Sequence, residues 1–212
     1  MTMYNEFNSD RYAAEDIVKL KNFFDIDVMI ETGTFYGATT RYLSTIAKEV
    51  HSIEIVANTY DHAKNAMEKE GKFNNVKLHL GNSSNVLDNI LKTIDKTKPI
   101  LFYLDAHWYD YWPILDELKM IGKYCHNNAI IVIDDFQVPN NDLGYDSYGS
   151  QPLNYDYIRS TLKVVYDTYG YYYNSDKKAD GNRRGRIYIY PYKENSLETF
   201  PDSSMINNKH IN

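Results

Sequence analysis

The chain has 212 residues, enough for one α/β domain with a buried core and too short for two ordinary ones. Its 23 Lys and Arg against 29 Asp and Glu leave a net charge of −6, which excludes a broad electrostatic grip on nucleic acid. No apolar run approaches the ~20 residues of a membrane helix, the start Met1-Thr2-Met3-Tyr4-Asn5-Glu6 lacks the basic and apolar parts of a signal peptide, and the single Cys125 leaves no internal disulfide and no cysteine-built metal site.

Those exclusions lead us to expect a soluble, cytoplasmic protein, with a homo-oligomer left open. Residues 1–26 read as an irregular start followed by a covering helix, with Ile17, Val18, Leu20, Phe23 and Phe24 at helical spacing. Val28 to Ile30 is a short buried strand that ends on Glu31. A turn containing Gly33 and Gly37 follows, and a helix opens near Ala38. A strand, a glycine turn and a helix N-terminus form a nucleotide-binding corner, where backbone N–H groups are expected to come close to a ligand. The pattern is Glu-x-Gly-x-x-x-Gly, with the acid first, and not the Gly-x-Gly-x-x-Gly of a dinucleotide site. The ordinary alternative is a strand–turn–helix corner with no ligand.

The second strand, residues 50–54, alternates apolar and polar and ends on Glu54. An acid about twenty residues beyond a glycine turn is placed to hold a ribose diol; otherwise it is a solvated strand-end acid. A helix over residues 57–69 stops at Gly71. The third strand, residues 76–80, leads to Gly81-Asn82-Ser83-Ser84 and another helix. The Asn82 side-chain oxygen is an acceptor for an adenine amine, and Asn82 or Ser83 is equally a plain N-cap. Residues 99–105 form a buried strand ending on Asp105, with His107 and Trp108 just beyond, and residues 109–124 a helix. The unbroken apolar run Ala129 to Ile133 ends on Asp134 and Asp135, as parallel strands covered on both faces do. Residues 136–153 make a long polar loop at that same edge, suited to close over substrate. A helix over residues 154–165 precedes two strands, 168–173 and 186–190, that read as an antiparallel hairpin. The tail from 193 is polar and expected to fray.

In an open parallel sheet, ligands bind at the carboxyl ends of the strands. Glu31, Glu54, Asp105 and the pair Asp134/Asp135 therefore converge on one edge, a costly arrangement unless cations offset it. Asp105, Asp134 and Asp135 form an all-oxygen set for Mg²⁺, or for Mn²⁺ or Ca²⁺, rather than zinc. His107 is placed as a general base for a hydroxyl acidified by that metal, with Asp105 beside it. Trp108, Tyr109, Tyr111 and Trp112 offer flat faces to a sugar or ring, with Trp112 read as core by default. Arg183, Arg184 and Arg186 are candidates for an anionic substrate group or a solvated basic loop.

The stretches Glu-Thr-Gly-Thr-Phe-Tyr-Gly, Ser-Ile-Glu, Tyr-Leu-Asp-Ala-His-Trp-Tyr and Ile-Val-Ile-Asp-Asp-Phe resemble class I, Rossmann-like methyltransferases that use S-adenosylmethionine (SAM). The branch they resemble most is the metal-dependent macrocin O-methyltransferase-like group, and the likeness spans residues 27–136. It implies a doubly wound, mostly parallel seven-stranded sheet over residues 27–192, with an antiparallel last strand and helices on both faces. It implies SAM bound by Glu31, Gly33, Thr34, Tyr36, Gly37, Glu54, Asn82, Ser83 and Asp105, a metal on Asp105, Asp134 and Asp135, and a base at His107. The expected reaction is methylation of a hydroxyl on a small molecule, a sugar or saccharide, with no nucleic-acid or membrane partner. The sequence departs from that pattern at Asn82, where the family commonly carries an acid. The alternatives are a cofactor-binding module, a metal-free methyltransferase, or a non-haem iron hydroxylase completed by His79 or His126.

Overall fold

The computed structural model describes residues 5–107 and 111–192, and the backbone of 208–211. A turn of 3-10 helix, Glu6–Ser9, leads into α1 (Arg11–Phe24), capped by the Asp10 carboxylate, which accepts from the Tyr12 and Ala13 N–H groups. The chain then alternates: β1 (Val28–Thr32), α2 (Ala38–Ile46), β2 (Glu49–Glu54), α3 (Ala57–Glu70), β3 (Val76–Leu80), α4 (Ser83–Thr93), β4 (Ile100–Leu104), α5 (Ile114–Cys125) and β5 (Ala129–Ile133). A two-residue pair, β6 (Ser147–Tyr148) and β7 (Gln151–Pro152), sits in the loop after β5. α6 (Tyr155–Val165), β8 (Thr168–Tyr173) and β9 (Ile187–Pro191) complete the domain, and β10 (Asn208–Ile211) follows.

The sheet order is β10-β8-β9-β5-β4-β1-β2-β3. Strands β3, β2, β1, β4 and β5 pair in parallel, and β9 enters antiparallel between β5 and β8. The expected seven-stranded sheet with an antiparallel last strand is therefore present. In the tail, read as frayed from its polarity, the described backbone of Asn208–Ile211 pairs antiparallel with β8.

Strand alternation sorts the core into two layers. Ile30, Phe102, Leu104, Ile131 and Ile133 face α4, α5 and α6 through Leu87, Leu118 and Ile158. Met29, Leu101, Tyr103, Ile130 and Val132 face α1 and α2 through Ile17, Leu20 and Leu43. Each of these side chains contributes about 1.5–3 kcal/mol by leaving water. Burial on both faces fixes the register, since a slip of one residue exchanges the faces. That register brings the carboxyl ends of β1, β2, β4 and β5 to one edge, with the switch in strand order between β1 and β4.

Candidate active site

The turn after β1 is held against β4. Gly33 has φ +89°, and a Cβ there would lie 2.5 Å from the Asp105 carbonyl oxygen, so only glycine permits the approach. Gly37 (φ +76°) caps α2, and its missing side chain makes room for Met67 and Arg41. The turn amides face inward. Gly33 and Thr34 donate to the Ile53 carbonyl at 2.9 and 3.1 Å, Gly37 donates to the Thr34 carbonyl at 2.8 Å, and Phe35 donates to Glu54 Oε2 at 2.8 Å. The expected cradle of N–H groups is thus occupied by the end of β2. What the turn presents is carboxylate, which suits a cationic guest rather than a phosphate.

Glu31 is buried and accepts from the Thr40 hydroxyl and, at 2.5 Å, from the Ser52 hydroxyl. Burial pushes its carboxyl up to about 7, against those two bonds and with help from the Glu54 charge. Glu54 is clamped differently: Oε2 accepts from Phe35 N–H and Oε1 from Val56 N–H, both at 2.8 Å. Each oxygen keeps a second lone pair, a pre-oriented bidentate acceptor. Thr34 is buried with its hydroxyl 2.6 Å from that of Ser52. The Asn82 oxygen, expected to accept from adenine, already accepts from Ser84 N–H (3.1 Å) and the Ser84 hydroxyl (2.7 Å) as the N-cap of α4. Its amide N–H groups are what remain for a ligand.

At the ends of β4 and β5, Asp105, His107 and Asp135 each offer a ligand atom within 4.8 Å of the others. The Asp105 carboxyl is driven well above the usual carboxylate range, first by burial and then by Asp134, Asp135 and Glu31, with only Arg186 opposing. Asp135, in the left-handed region at φ +54°, is pushed up to about 7 by burial and by Asp134, although Arg184 pairs with it. Arg184 also pairs with Asp146, which accepts from the Tyr148 hydroxyl at 2.9 Å, and the Tyr148 ring stacks on His107 at 5.3 Å. Asp134, expected as a metal ligand, lies outside this group. It is buried, accepts from the Tyr103 hydroxyl at 2.6 Å and pairs with Arg186 at 2.7 Å. Arg186 is itself fully buried and holds Asp10 at 2.7 Å, so it does not face substrate, and Arg184 is committed to acids. These corrections share a cause: a buried charge is stable only beside its opposite.

A single cavity of about 620 Å³ joins these parts. Glu31, Gly33, Thr34, Tyr36, Glu54, Asn82, Ser83, Asp105, His107 and Asp135 line it, whereas Gly37 and Asp134 do not. Tyr111 also lines it; Trp112 is buried and stacks on Tyr157 at 5.8 Å; Trp108 and Tyr109 lie outside the described residues. Sequence reasoning missed Tyr148, Asn5, Asn8 and Asn182 on the wall. Only the position of the 136–153 loop signalled Tyr148, and nothing local marked the asparagines. The histidines proposed to complete an iron site are elsewhere: His79 lies 2.9 Å from His51, and His126 bonds the Val164 carbonyl and Asp167.

A family model described as a methyltransferase domain matches residues 30–136, half of the chain, from within β1 to just past the end of β5. The chain belongs to this methyltransferase domain family. The acid-first turn and the acids after β4 and β5 all fall within the matched region. Solved structures with the same fold include the O-methyltransferase TomG of Streptomyces achromogenes, in complex with SAM, at 16% identity over 84% of this chain and 78% of that one, with a TM-score of 0.58. The O-methyltransferase of Bacillus cereus, in complex with SAH, is 15% identical over 84% of this chain and 79% of that one, with a TM-score of 0.59. A precorrin 8w decarboxylase of Methanobacterium thermoautotrophicum is 11% identical over 82% of this chain and 89% of its own, with a TM-score of 0.51. No curated protein sequence matches significantly. The domain is a methyltransferase with the Rossmann-like class I fold, and no helix among its described residues is long and apolar enough to cross a membrane.

Proposed function

We propose that the chain is a SAM-dependent O-methyltransferase that acts on a hydroxyl of a small molecule, a sugar or saccharide, with help from a divalent metal. The observation that carries this reading is the pairing of Glu31 and the clamped Glu54 with Asp105 around one cavity of about 620 Å³, within a methyltransferase domain. Glu31 meets the cofactor's ammonium and draws charge stabilisation from it. Glu54 takes the ribose diol through its two remaining lone pairs. The Asn82 amide and Ser83 face the adenine.

The acceptor hydroxyl lies between Asp105, His107 and Asp135. His107, braced by Tyr148, takes the hydroxyl proton as the oxygen attacks the methyl carbon. The methyl–sulfur bond breaks, and its electron pair neutralises the sulfonium. Alignment in the cavity supplies most of the acceleration. Asp105 and Asp135 fit a hard divalent cation, since burial and neighbouring acids push both carboxyls up, and among the described residues only Asp135 of the two has an ion-pair partner, Arg184. Mg²⁺ is the first choice, with Mn²⁺ or Ca²⁺ behind it; bound there, such an ion would acidify the acceptor hydroxyl.

A metal-free version of the reaction has one observation in its favour: Arg184 already supplies Asp135 with a positive partner. Calorimetry separates the readings. SAM and Mg²⁺ are both expected to bind. Binding of SAM alone would leave the metal-free enzyme, and no binding of SAM would overturn the proposal.

A further inference from the structure

The cavity wall on the β5 side is built by two segments that come from opposite ends of the chain, residues 5–9 and 180–183. Both bring asparagines to the cavity: Asn5 and Asn8 from the first, Asn182 from the second. The first segment holds three successive non-glycine residues with positive φ: Phe7 (49°), Asn8 (58°) and Ser9 (65°). Left-handed backbone is unfavourable for such residues, and a run of three persists only where the surroundings over-determine it. They do so here. Phe7 N–H donates to Thr39 Oγ1 at 3.1 Å, and the Phe7 carbonyl accepts from Arg186 at 2.9 Å. The Phe7 ring is buried between Tyr42 and Tyr103 at 5.2 Å from each. The Asn8 carbonyl accepts from Asn182 N–H at 3.0 Å, and Gly181 packs so closely that a Cβ there would run into the Asn8 carbonyl.

The strain holds an amide in the cleft. Asn8 Nδ2 donates to Asp134 Oδ2 at 3.2 Å, which places Asn8 next to Asp135, and Asn182 Nδ2 lies 3.5 Å from Asn8 Oδ1. The two side chains still offer an N–H and a lone pair each. In the sheet, Asp135 follows β5, whereas Glu54 and Asn82 lie at the ends of β2 and β3 on the other side of β1 and β4. The amides therefore belong to the half of the cavity left for the acceptor, which Tyr148 also lines.

We infer that Asn8 and Asn182 form a specificity-determining amide pair that reads vicinal hydroxyls of a saccharide acceptor, with the N-terminal segment as an integral wall of the acceptor site. This rests on the function proposed above. Amides that both donate and accept match a hydroxyl pair, while Tyr148 covers an apolar ring face; a purely aromatic diol needs only the second.

The test uses saturation-transfer NMR on the full chain loaded with S-adenosylhomocysteine. The probes are an equimolar mixture of the methyl glycosides of glucose, galactose, mannose and rhamnose, with catechol as comparison. Asn8→Gly removes the side chain while keeping the left-handed backbone, and it is combined with Asn182→Ala. At least one glycoside is expected to bind the wild type, and the double variant is expected to lower its signal at least fivefold while the S-adenosylhomocysteine Kd stays within twofold. Glycoside binding that survives the double variant overturns the inference, as does S-adenosylhomocysteine binding with no glycoside signal on the wild type. Failure of the wild type to bind S-adenosylhomocysteine would instead overturn the underlying reading. If the double variant does not fold, Asn182→Ala alone carries the test, since its side chain is exposed.

Discussion

The two halves of the cleft are organised by opposite means. On the β1–β2 side, every partner of the acids comes from a neighbouring stretch. Glu31 is held by Thr40 and Ser52, and Glu54 by the backbone of Phe35 and Val56, all within residues 31–56. On the β5–β9 side, partners come from across the chain. Asp134 is held by Tyr103, Asn8 and Arg186, and Arg186 reaches Asp10, 176 positions away. The first half is a local motif with hydroxyl and amide donors. The second is a buried charge network that closes only when both ends of the chain have docked.

That contrast is open to experiment. The largest effect is expected in the chemistry itself: His107→Asn should lower kcat by about 10²–10⁴-fold, measured as methyl transfer at saturating cofactor, with cofactor affinity unchanged. An unaltered rate would remove His107 as the base. Next comes the long-range network. Arg186→Met leaves Asp10 and Asp134 buried without a counter-charge and should cost about 3–5 kcal/mol in urea unfolding. A loss below about 1 kcal/mol would show that the β5–β9 half does not depend on its ion pairs.

The local half should reveal itself through pH. Glu31 titrates near 7 in the folded chain and near 4.5 when unfolded. The folded state therefore holds the extra proton between those values, and the contribution of Glu31 to stability falls as pH rises through that window. A cofactor ammonium favours the ionised form, so SAM should bind more tightly as pH passes 7. Glu31→Gln should flatten that dependence, as read by calorimetry from pH 6 to 8, and an equal slope in the variant would break the assignment. Glu117 shares the raised value of about 7 through burial, facing the hydroxyls of Thr32 and Ser83 with no hydrogen bond of ordinary geometry to its oxygens. Glu117→Gln should therefore gain stability over the parent as pH rises from 4.5 past 7, with no change in cofactor affinity. The smallest effect is the cap: Asn82→Ala should cost about 1 kcal/mol by exposing the start of α4.

Much of the fold was legible in the chain because burial on both sheet faces requires contiguous apolar runs, and Ala129 to Ile133 or Ile100 to Leu104 carry no other reading. The insertion of β9 between β5 and β8 was not written in periodicity, which is the same for either edge of a hairpin; the family resemblance implied an antiparallel last strand, and the structure placed it. Within the site, the acids at strand ends were legible, but not their orientation. Asn82 illustrates the limit, since the same residue type serves as a cap or as a ligand and only the position of Ser84 decides.

By itself, then, the sequence determined the alternation of strands and helices, the glycine turn after the first strand, and a carboxylate at the ends of four strands, because each depends on residues close together in the chain. Only the tertiary structure decided between Asp134 and Asp135. They are adjacent in sequence, yet the left-handed turn at Asp135 sends one carboxylate into the cavity and leaves the other with Arg186. A buried charge goes where its counter-charge is, and here that partner is Arg186, just ahead of β9 and more than fifty residues away.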